Sequence, residues 1–414
     1  MRTRWPQGPA ALLSIAITAA LCAGLACADD WPQWRGPRHD GISREKDWLS
    51  AWPQASAPEV AWTASVGKGH SAVSVARGMA YTMGWNGKTD TVSCFDAATG
   101  RLVWSKSYPC GTRVSNPGPR ATAAVDGDAV YTLSQWGHLH AYHAVTGAPR
   151  WAVQLPESCI PEKEYGHVWS PLIVGDLLIL SAGRAGLAFD KRTGAHVWGD
   201  PAGRGTCASA VPYEANGRRG VIVSAAEGDA IDFIGVNPQT GAELWRYKGW
   251  PEKWGDYCVD PVVCGDRFFV TTAETHHKCA AVAFTPGSAT KVWENDALAA
   301  NTGQCVHLDG HIYGVSRRGR LVCLSVRDGR ALWEQPGFGA FGSLIAADGK
   351  LIVMTFTGDL VVVEATPRGY HELRRVNNLL KNTYTAPVLA NGRIYCRDYA
   401  GQLVCLAVVL RAGD

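Results

Sequence analysis

The sequence predicts an all-β protein: an eight-bladed β-propeller of four-stranded antiparallel blades, with the ring closed by an N-terminal strand that completes the last blade. Three observations predict this fold. A turn-and-tryptophan motif recurs along the 414 residues, short apolar segments alternate with Asp-Gly and Asn-Gly turns, and no segment sustains a helical period. Four antiparallel strands in a unit of about 40 to 48 residues are typical of a propeller blade.

The recurring motif is a strand that ends in Asp or a substitute, then two residues, Thr-Gly, three residues and Trp. Its clearest copy runs from Asp96 through Thr99-Gly100 to Trp104, and successive tryptophans from Trp62 to Trp245 lie 42 to 47 residues apart. We expect each indole to pack against the neighbouring blade, because a large flat side chain near the outer strand can bury its ring there. The tryptophans with this predicted structural docking role are Trp62, Trp104, Trp151, Trp198, Trp245, Trp293 and Trp333.

Eight units follow from this period, and the sixth shows the four predicted strands of a blade. Those strands are Cys305–Leu308, His311–Ser316, Arg320–Val326 and Ala331–Glu334. The eight units begin near Ser71, Arg120, His167, Thr206, Tyr257, Thr302, Gly342 and Thr383.

The eighth unit lacks a fourth strand. It ends after Pro387–Leu389, Arg393–Arg397 and Gln402–Val408, whereas Val60–Ala64 near the N-terminus has the pattern of a fourth strand without a blade. We expect Val60–Ala64 to pair with the last blade, because this closes the ring and covers the edge that an open sheet would expose.

Residues 1–28 are predicted to form a secretory signal peptide. Arg2 and Arg4 precede the apolar run Ala10–Leu25, and small residues then favour cleavage before Asp29. Lipid attachment at Cys27 is the less favoured alternative, because glycine stands where a lipobox prefers leucine. We expect a periplasmic or secreted protein without a membrane span in the mature chain, in which 29–57 form a Trp-rich leader and 58–414 the propeller.

The net charge and the cysteine spacing exclude two classes of protein. A formal net charge of +3 argues against a strongly basic nucleic-acid binder. Eleven cysteines follow residue 28, with no C-x-x-C among them, so the spacing does not resemble a disulfide framework. Cys396 and Cys405 face each other across a predicted hairpin and are the first candidates for a local pair, while the pairing of the eleven cysteines stays open.

The loops that enter the first strand of each blade, and those between the second and third strands, gather on one face of a propeller. We call this the loop face. It collects mainly arginines, histidines and aromatic residues, with a few acids. The residues are His70, Trp85, Arg113, Arg120, Trp136, His167, Trp169, Arg184, Arg204, Trp254, Asp256, Tyr257, Asp260, His276, His277, Gln304, Arg317, Arg318, Phe338, Phe341 and Tyr384. Loops set on a rigid scaffold are common positions for binding residues.

The Thr-Gly-x-x-x-Trp copies resemble the tryptophan-docking repeat of the pyrroloquinoline-quinone (PQQ)-like propeller family. The segment from Asp30 to Pro37, followed by Asp40-Gly41-Ile42-Ser43, is similar to the start of secreted members of this family. The superfamily contains quinoprotein alcohol dehydrogenases and BamB-like assembly lipoproteins, and members without a quinone are common. The resemblance covers roughly Val60 to Leu410 and by itself assigns no chemistry.

The resemblance implies that PQQ and calcium could bind on the loop face. A flat tricarboxylate needs guanidinium partners and a stacking ring, and calcium needs oxygen ligands. The candidate residues are Arg120, Arg204 and Arg317 for the carboxylates, Trp169 and Trp254 for stacking, and Asp256 and Asp260 for the metal.

The sequence departs from the quinone-dependent enzymes at several points. The quinone-dependent enzymes carry a Trp-Asp-Tyr-Asp type segment. The most similar segment in this sequence runs from Trp254 to Asp260, and it does not match that motif. No two cysteines are adjacent, and no C-x-x-C-H haem motif occurs. Solvated turn acids are therefore the favoured interpretation of Asp256 and Asp260, and no catalytic residue is assigned.

We predict a non-catalytic binding or scaffold module of the cell envelope: a monomeric ring that requires no cofactor and binds an unidentified envelope protein or polymer, but not nucleic acid. A PQQ-dependent oxidoreductase is the first alternative. A glycan-binding propeller is the second, in which leader tryptophans would form a stacking platform; a clamp of the leader onto the ring is the favoured role for them. The four are Trp31, Trp34, Trp48 and Trp52.

Overall fold

The structure is a computed structural model that describes residues 29–54, 56–111, 114–160, 165–215, 217–227, 230–251, 257–272 and 276–409. The predicted signal peptide, 1–28, lies outside these residues. The described residues contain a single short 3-10 turn, Glu157–Cys159, and no helix among them is long and apolar enough to cross a membrane.

Eight separate β-sheets make up the described chain, so the predicted eight-bladed all-β propeller is confirmed. Two strands lie in the N-terminal region, β1 (Ile42–Ser43) and β2 (Glu59–Ser65). The strands of blades 1 to 3 are β3 (Ser74–Ala76), β4 (Met79–Trp85), β5 (Thr89–Asp96), β6 (Leu102–Pro109), β7 (Ala124–Asp126), β8 (Ala129–Leu133), β9 (His138–His143), β10 (Pro149–Gln154), β11 (Leu172–Val174), β12 (Leu177–Leu180), β13 (Leu187–Asp190) and β14 (His196–Trp198).

Blades 4 to 8 continue the pattern around the ring. Their strands are β15 (Arg204–Gly205), β16 (Val211–Ala215), β17 (Arg218–Glu227), β18 (Ala230–Val236), β19 (Glu243–Pro251), β20 (Val262–Cys264), β21 (Arg267–Thr272), β22 (Lys278–Thr285), β23 (Ser288–Asn295), β24 (Val306–Leu308), β25 (His311–Val315), β26 (Arg320–Ser325), β27 (Ala331–Pro336), β28 (Ser343–Ala347), β29 (Lys350–Met354), β30 (Leu360–Glu364), β31 (Glu372–Val376), β32 (Val388–Ala390), β33 (Arg393–Arg397) and β34 (Gln402–Ala407).

The N-terminal strand closes the ring as predicted. β2 pairs antiparallel with β34, with Trp62 opposite Cys405, and the sheet order is β2-β34-β33-β32. Two blades carry an additional strand. In blade 4, β15 extends the sheet beside β17, and in blade 7, β1 of the leader pairs parallel with β28.

The middle strands of the blades form the core. Every residue of β8 and of β18 is buried. A strand packed between two neighbouring blades has no face in water, which explains why these segments are mostly apolar on both faces rather than alternating.

The motif tryptophans bridge neighbouring blades. The indole of Trp104 donates to the carbonyl oxygen of Ala144, at 2.8 Å, in the turn after the third strand of the next blade. Trp245 differs, because its indole donates to the hydroxyl of Tyr213 within its own blade. The other indole-to-carbonyl pairs are Trp62 with Ala97, Trp151 with Lys191, Trp198 with Pro238, Trp293 with Val326 and Trp333 with Thr366.

The remaining motif residues build the turn on which the indole lies. An oxygen of Asp96 accepts hydrogen bonds from the backbone N–H and the hydroxyl of Thr99, both at 2.9 Å. Such side-chain bonds to a turn are typical of Asp and Thr. A Cβ on Gly147 would lie 2.6 Å from the Trp104 ring, so only glycine leaves room for it.

The candidate pair of Cys396 and Cys405 is not bonded in the structure. None of the eleven described cysteines forms a disulfide bond in the structure. In the hairpin of β33 and β34, Cys396 lies opposite Val404 and Cys405 lies opposite Tyr395. Neighbouring residues of a strand point to opposite faces, so the two thiols lie on different sides of the sheet.

Candidate functional site in the axial cavity

A chain of hydrogen bonds links successive blades near the start of their innermost strands. In each link, a backbone N–H of one blade donates to a side-chain oxygen of the next. The links are Ala72 to Thr122, Thr122 to Ser170, Ser170 to Ser209, Ser209 to Asp260, Asp260 to Gln304 and Gln304 to Ser343. Side-chain oxygens at one position of the repeat therefore surround the propeller axis.

The first half of the leader docks on this polar ring. The indole of Trp34 donates to an oxygen of Asp260 at 2.6 Å. Arg35, only 4% exposed, donates to the side-chain oxygen of Gln304 at 2.9 Å and to the carbonyl of Cys305 at 3.0 Å. These bonds connect the leader to blades 5 and 6.

The second half of the leader is fixed to blades 7 and 8. Beyond β1, Trp48 is fully buried against blade 7, and a carboxylate oxygen of Glu45 accepts the backbone N–H of Gly392 in blade 8 at 2.9 Å. Trp31 and Trp52 are each 2% exposed. Three of the four leader tryptophans are therefore inaccessible, and the hypothesis of an exposed glycan-stacking platform is wrong for them.

A cavity of about 370 Å³ lies above the docked leader and opens toward the loop face. Trp34 and Asp260 form part of its lining. The other lining residues are His70, Ser115, Asn116, Arg120, Tyr165, Val168, Ser170, Cys207, Ser209, Cys258, Asn301, Thr302, Gln304, Phe341 and Tyr384. The cavity is the candidate functional site because it brings together polar and aromatic side chains from most of the ring.

Arg120 is held on two sides. One terminal nitrogen, Nη2, donates to the carbonyl of Ser115 at 2.7 Å, and the guanidinium carbon lies 5.7 Å from the ring centre of Tyr165. The other, Nη1, is buried without a hydrogen-bond partner among the described residues. Burial lowers the pKa of Arg120, although an arginine remains charged at neutral pH.

The neutral imidazole of His70 forms part of the cavity lining, next to two tyrosine rings. Its ring lies 5.1 Å from that of Tyr384 and 4.9 Å from that of Tyr399, and its Nε2 is 3.3 Å from the carbonyl oxygen of Asn116. Burial, reinforced by the charge of Arg120, lowers the pKa of His70 to about 3. The imidazole is therefore uncharged at neutral pH.

Asp260 holds the leader against the ring through hydrogen bonds within the protein. One oxygen accepts from the indole of Trp34, and the other accepts from the backbone N–H of Ser209 at 2.7 Å. Burial raises the pKa of Asp260, while the charge of Arg35 opposes that rise. Calcium takes six to eight oxygen ligands, yet no cluster of three His, Cys, Asp or Glu side chains suited to a metal occurs among the described residues.

The residues predicted to bind PQQ and calcium are not assembled around the cavity. Trp169 is fully buried and its indole donates to the carbonyl of Thr206, so no ligand ring can stack on it. Arg204 and Arg317 are exposed and do not line the cavity. Trp254 and Asp256 lie outside the described residues. With Arg120 and Asp260 alone in place, the described residues do not fit PQQ with calcium.

Other residues of the cavity were not predicted to line it. Trp34 reaches the axis from the leader, and Asn116, Asn301 and Thr302 lie on loops that differ from blade to blade. The one available signal was that Asp260 and Gln304 stand where other blades carry Ser or Thr. That substitution marks the two positions that hold the leader.

Comparisons with known proteins agree with this architecture. A family described as "Outer membrane protein assembly factor BamB" has a sequence model that matches residues 88–335. The BamB of Shewanella oneidensis is 24% identical over 362 residues, which cover 84% of this chain and 78% of that protein.

Solved structures share the fold. The BamB of Moraxella catarrhalis superposes with a TM-score of 0.60 at 18% identity, covering 84% of this chain and 97% of that one. A quinohemoprotein alcohol dehydrogenase from Comamonas testosteroni superposes with a TM-score of 0.67 at 14% identity, covering 93% and 82%. At these identities the superpositions establish the fold alone. Because the family's sequence model spans more than half of the chain, the protein belongs to the PQQ-repeat propeller family described as outer membrane protein assembly factor BamB.

Proposed function

We propose that this protein is a non-catalytic binding or scaffold module of the cell envelope, exported by cleavage before Asp29, and that its loop face holds a protein partner. The match of residues 88–335 to a family named for outer membrane protein assembly carries the proposal. The rigid closed ring supports it, since loops on such a ring can present a stable surface without a cofactor.

The charge of the loop face favours an acidic partner. Exposed cations lie in loop-face segments of several blades, although Arg184 is paired with Asp200 at 3.6 Å. The cations are Arg184, Arg204, Arg317, Arg318 and Lys381. Complementary charge raises the rate at which partners associate and helps to exclude wrong ones. The proposal includes no quinone or calcium, because Arg120 and Asp260 are the only described candidates for those ligands that line the cavity.

Site-specific photo-crosslinking in cells tests this proposal. A photoreactive phenylalanine analogue at Arg318 samples the loop face, and the same analogue at Arg101, an exposed residue in a turn on the opposite face, is the matched control. We expect a discrete protein adduct from position 318 and none from position 101. Identical adducts from both positions, or capture of polysaccharide alone, would contradict a protein-binding loop face.

A further inference from the structure

The leader starts at the junction between the last blade and the first. The two oxygens of the Asp30 carboxylate each accept a hydrogen bond of 3.0 Å, one from the backbone N–H of Arg77 in blade 1 and one from the side-chain amide of Asn391 in blade 8. Trp31 exchanges two backbone hydrogen bonds of 2.8 Å with the first strand of blade 1. These bonds hold the neighbouring backbone nitrogen of Asp29 in a fixed place.

Glu45 is a buried carboxylate that faces this nitrogen. It is 3% exposed; one oxygen accepts the backbone N–H of Gly392 at 2.9 Å, and the other lies 3.5 Å from the backbone nitrogen of Asp29. No ion pair joins it to a described lysine or arginine. Burial raises the pKa of Glu45, backbone N–H groups oppose that rise, and the charge of the Asp29 carboxylate adds to it. A buried carboxylate without a cation is costly, so this position favours a positive charge.

We propose that removal of the signal peptide supplies this charge, and that the α-ammonium group of Asp29 pairs with Glu45 to fix the leader to the ring. Hydrolysis of the bond between Ala28 and Asp29 consumes one water molecule, leaves a carboxylate on Ala28 and frees an amine on Asp29. At neutral pH this amine takes up a proton, because free α-amines have pKa values of about 7.7 to 8.0. In the uncut chain the same nitrogen is an uncharged amide.

The ion pair joins the two ends of the leader segment 29–45. Between these ends, Trp34 and Arg35 reach the polar ring at the propeller axis, and Trp34 lines the axial cavity. Because the ion pair can form only in a cut chain, the leader is held most firmly in the exported protein. This inference rests on the part of the proposed function that places cleavage before Asp29, and it does not depend on a protein partner.

Acylation of the α-amine in the exported, purified protein tests the ion pair. N-hydroxysuccinimidyl acetate reacts with unprotonated amines, and trypsin then releases residues 29–35, which contain no lysine, so the label on this peptide reports the α-amine alone. At pH 7 we expect the parent protein to be labelled at least about tenfold more slowly than Glu45→Gln. The reason is that an amine beside a carboxylate holds its proton more tightly, and one pKa unit is tenfold in the unprotonated fraction.

A matched control is Glu59→Gln, which removes an exposed carboxylate in β2 and should be labelled within about twofold of the parent. In concentrated urea all three proteins should be labelled at the same rate, because the unfolded chains have no ion pair. Mass spectrometry of the intact proteins checks that each chain begins at Asp29.

An extended N-terminus tests the same charge with Glu45 in place. Two glycines inserted before Asp29 move the amine away and return the nitrogen of Asp29 to an amide. The insertion should lower the melting temperature of the parent by about 2 °C or more, and that of Glu45→Gln by less than about 0.5 °C, because both changes remove one interaction.

Three results would overturn the proposal: an exported chain that begins at another residue, equal labelling of the parent and folded Glu45→Gln, or the same loss of melting temperature on insertion in both backgrounds. Slow labelling of the parent without a loop-face crosslink would support the ion pair and refute only the scaffold function.

Discussion

Arg397 places a charged guanidinium in the interior where the last blade meets the first. The side chain is 2% exposed and donates to the carbonyl oxygens of Met83, Ser71 and Gly67 and to the hydroxyl of Thr82. Burial lowers its pKa to about 10, so the group stays charged at neutral pH. Several neutral acceptors, together with the charge of the neighbouring Asp398, thus stabilise the buried guanidinium.

Arg397→Met should destabilise the fold by roughly 3 to 5 kcal/mol, because it leaves buried carbonyl oxygens without donors at the ring junction. Urea unfolding of the variant and the parent protein measures the difference. Arg101→Met, at an exposed position, is the control and should change stability by less than about 0.5 kcal/mol. A comparably small loss for Arg397→Met would show that water replaces the guanidinium.

Asp90 is a second buried charge, with no cation beside it. Its side chain is 0% exposed, and no N–H or O–H donor among the described residues reaches either oxygen. Burial raises its pKa to about 6, and the nearby Cys110 thiol opposes that rise. A raised pKa favours folding fully below the unfolded value of 3.8, and this contribution is lost as the pH rises through about 6.

Asp90→Asn should therefore be more stable than the parent protein at pH 7.5, by roughly 2 to 3 kcal/mol, because the amide cannot ionise. Near pH 4 the carboxyl of the parent is largely protonated when folded, and the advantage should shrink toward zero. Urea unfolding of both proteins at the two pH values measures it. Parallel stability curves across this range would contradict the assignment of the ionisation to Asp90.

At the residue scale, the sequence predicted positions in the repeat better than side-chain directions. The period located Trp169 correctly near a blade entrance, but its ring turns into the core rather than toward the axis. Trp34 and Asp260 are 226 residues apart in sequence, and no local pattern encodes their contact. Of the predicted ligand residues that the structure describes, only Arg120 and Asp260 line the cavity.

At the scale of the element, the Thr-Gly turn of one blade and the outer-strand tryptophan of its neighbour form one unit. Gly147 has a φ of +66°, and a Cβ there would overlap the ring of Trp104. The glycine therefore serves two purposes, a left-handed backbone conformation and close approach of the indole.

Gly147→Ala and Gly127→Ala separate these two purposes. Gly127 has a φ of +59° but no atom within 4 Å of an added Cβ. We expect Gly127→Ala to cost about 1 to 2 kcal/mol through backbone strain alone. Gly147→Ala should cost a further 1 to 3 kcal/mol or so, because the Trp104 ring must move. Thermal denaturation compares the two, and equal losses would show that the indole yields without penalty.

Strand prediction worked where turn residues flank each strand. For blade 6, the predicted Cys305–Leu308 and Arg320–Val326 correspond to β24 (Val306–Leu308) and β26 (Arg320–Ser325). The extra strands β1 and β15 could not be predicted, because two-residue strands form only where another part of the chain presents a free edge.

At the scale of the whole molecule, the leader and the closing strand have separable roles. A chain that begins at residue 58 keeps β2 but loses the contacts of Trp34, Arg35 and Trp48. A chain that begins at residue 66 also loses β2, which leaves β34 as an unpaired edge.

We expect the chain from residue 58 to remain monomeric with a lower melting temperature, and the chain from residue 66 to associate through its open edge. Size-exclusion chromatography with light scattering distinguishes the two, and calorimetry records the melting temperatures. A monomeric chain from residue 66 that melts cooperatively would show that the ring does not depend on its closing strand.

Closure of the ring also sets an order of events during synthesis. Glu59 pairs opposite Ala407, so a strand made near the start finds its partner only after almost the whole chain has left the ribosome. At about 5 to 20 residues per second, the interval lasts roughly 20 to 70 s. During that time β2 has no partner strand. If synthesis stops before residue 402, the released chain lacks β34 and its ring cannot close.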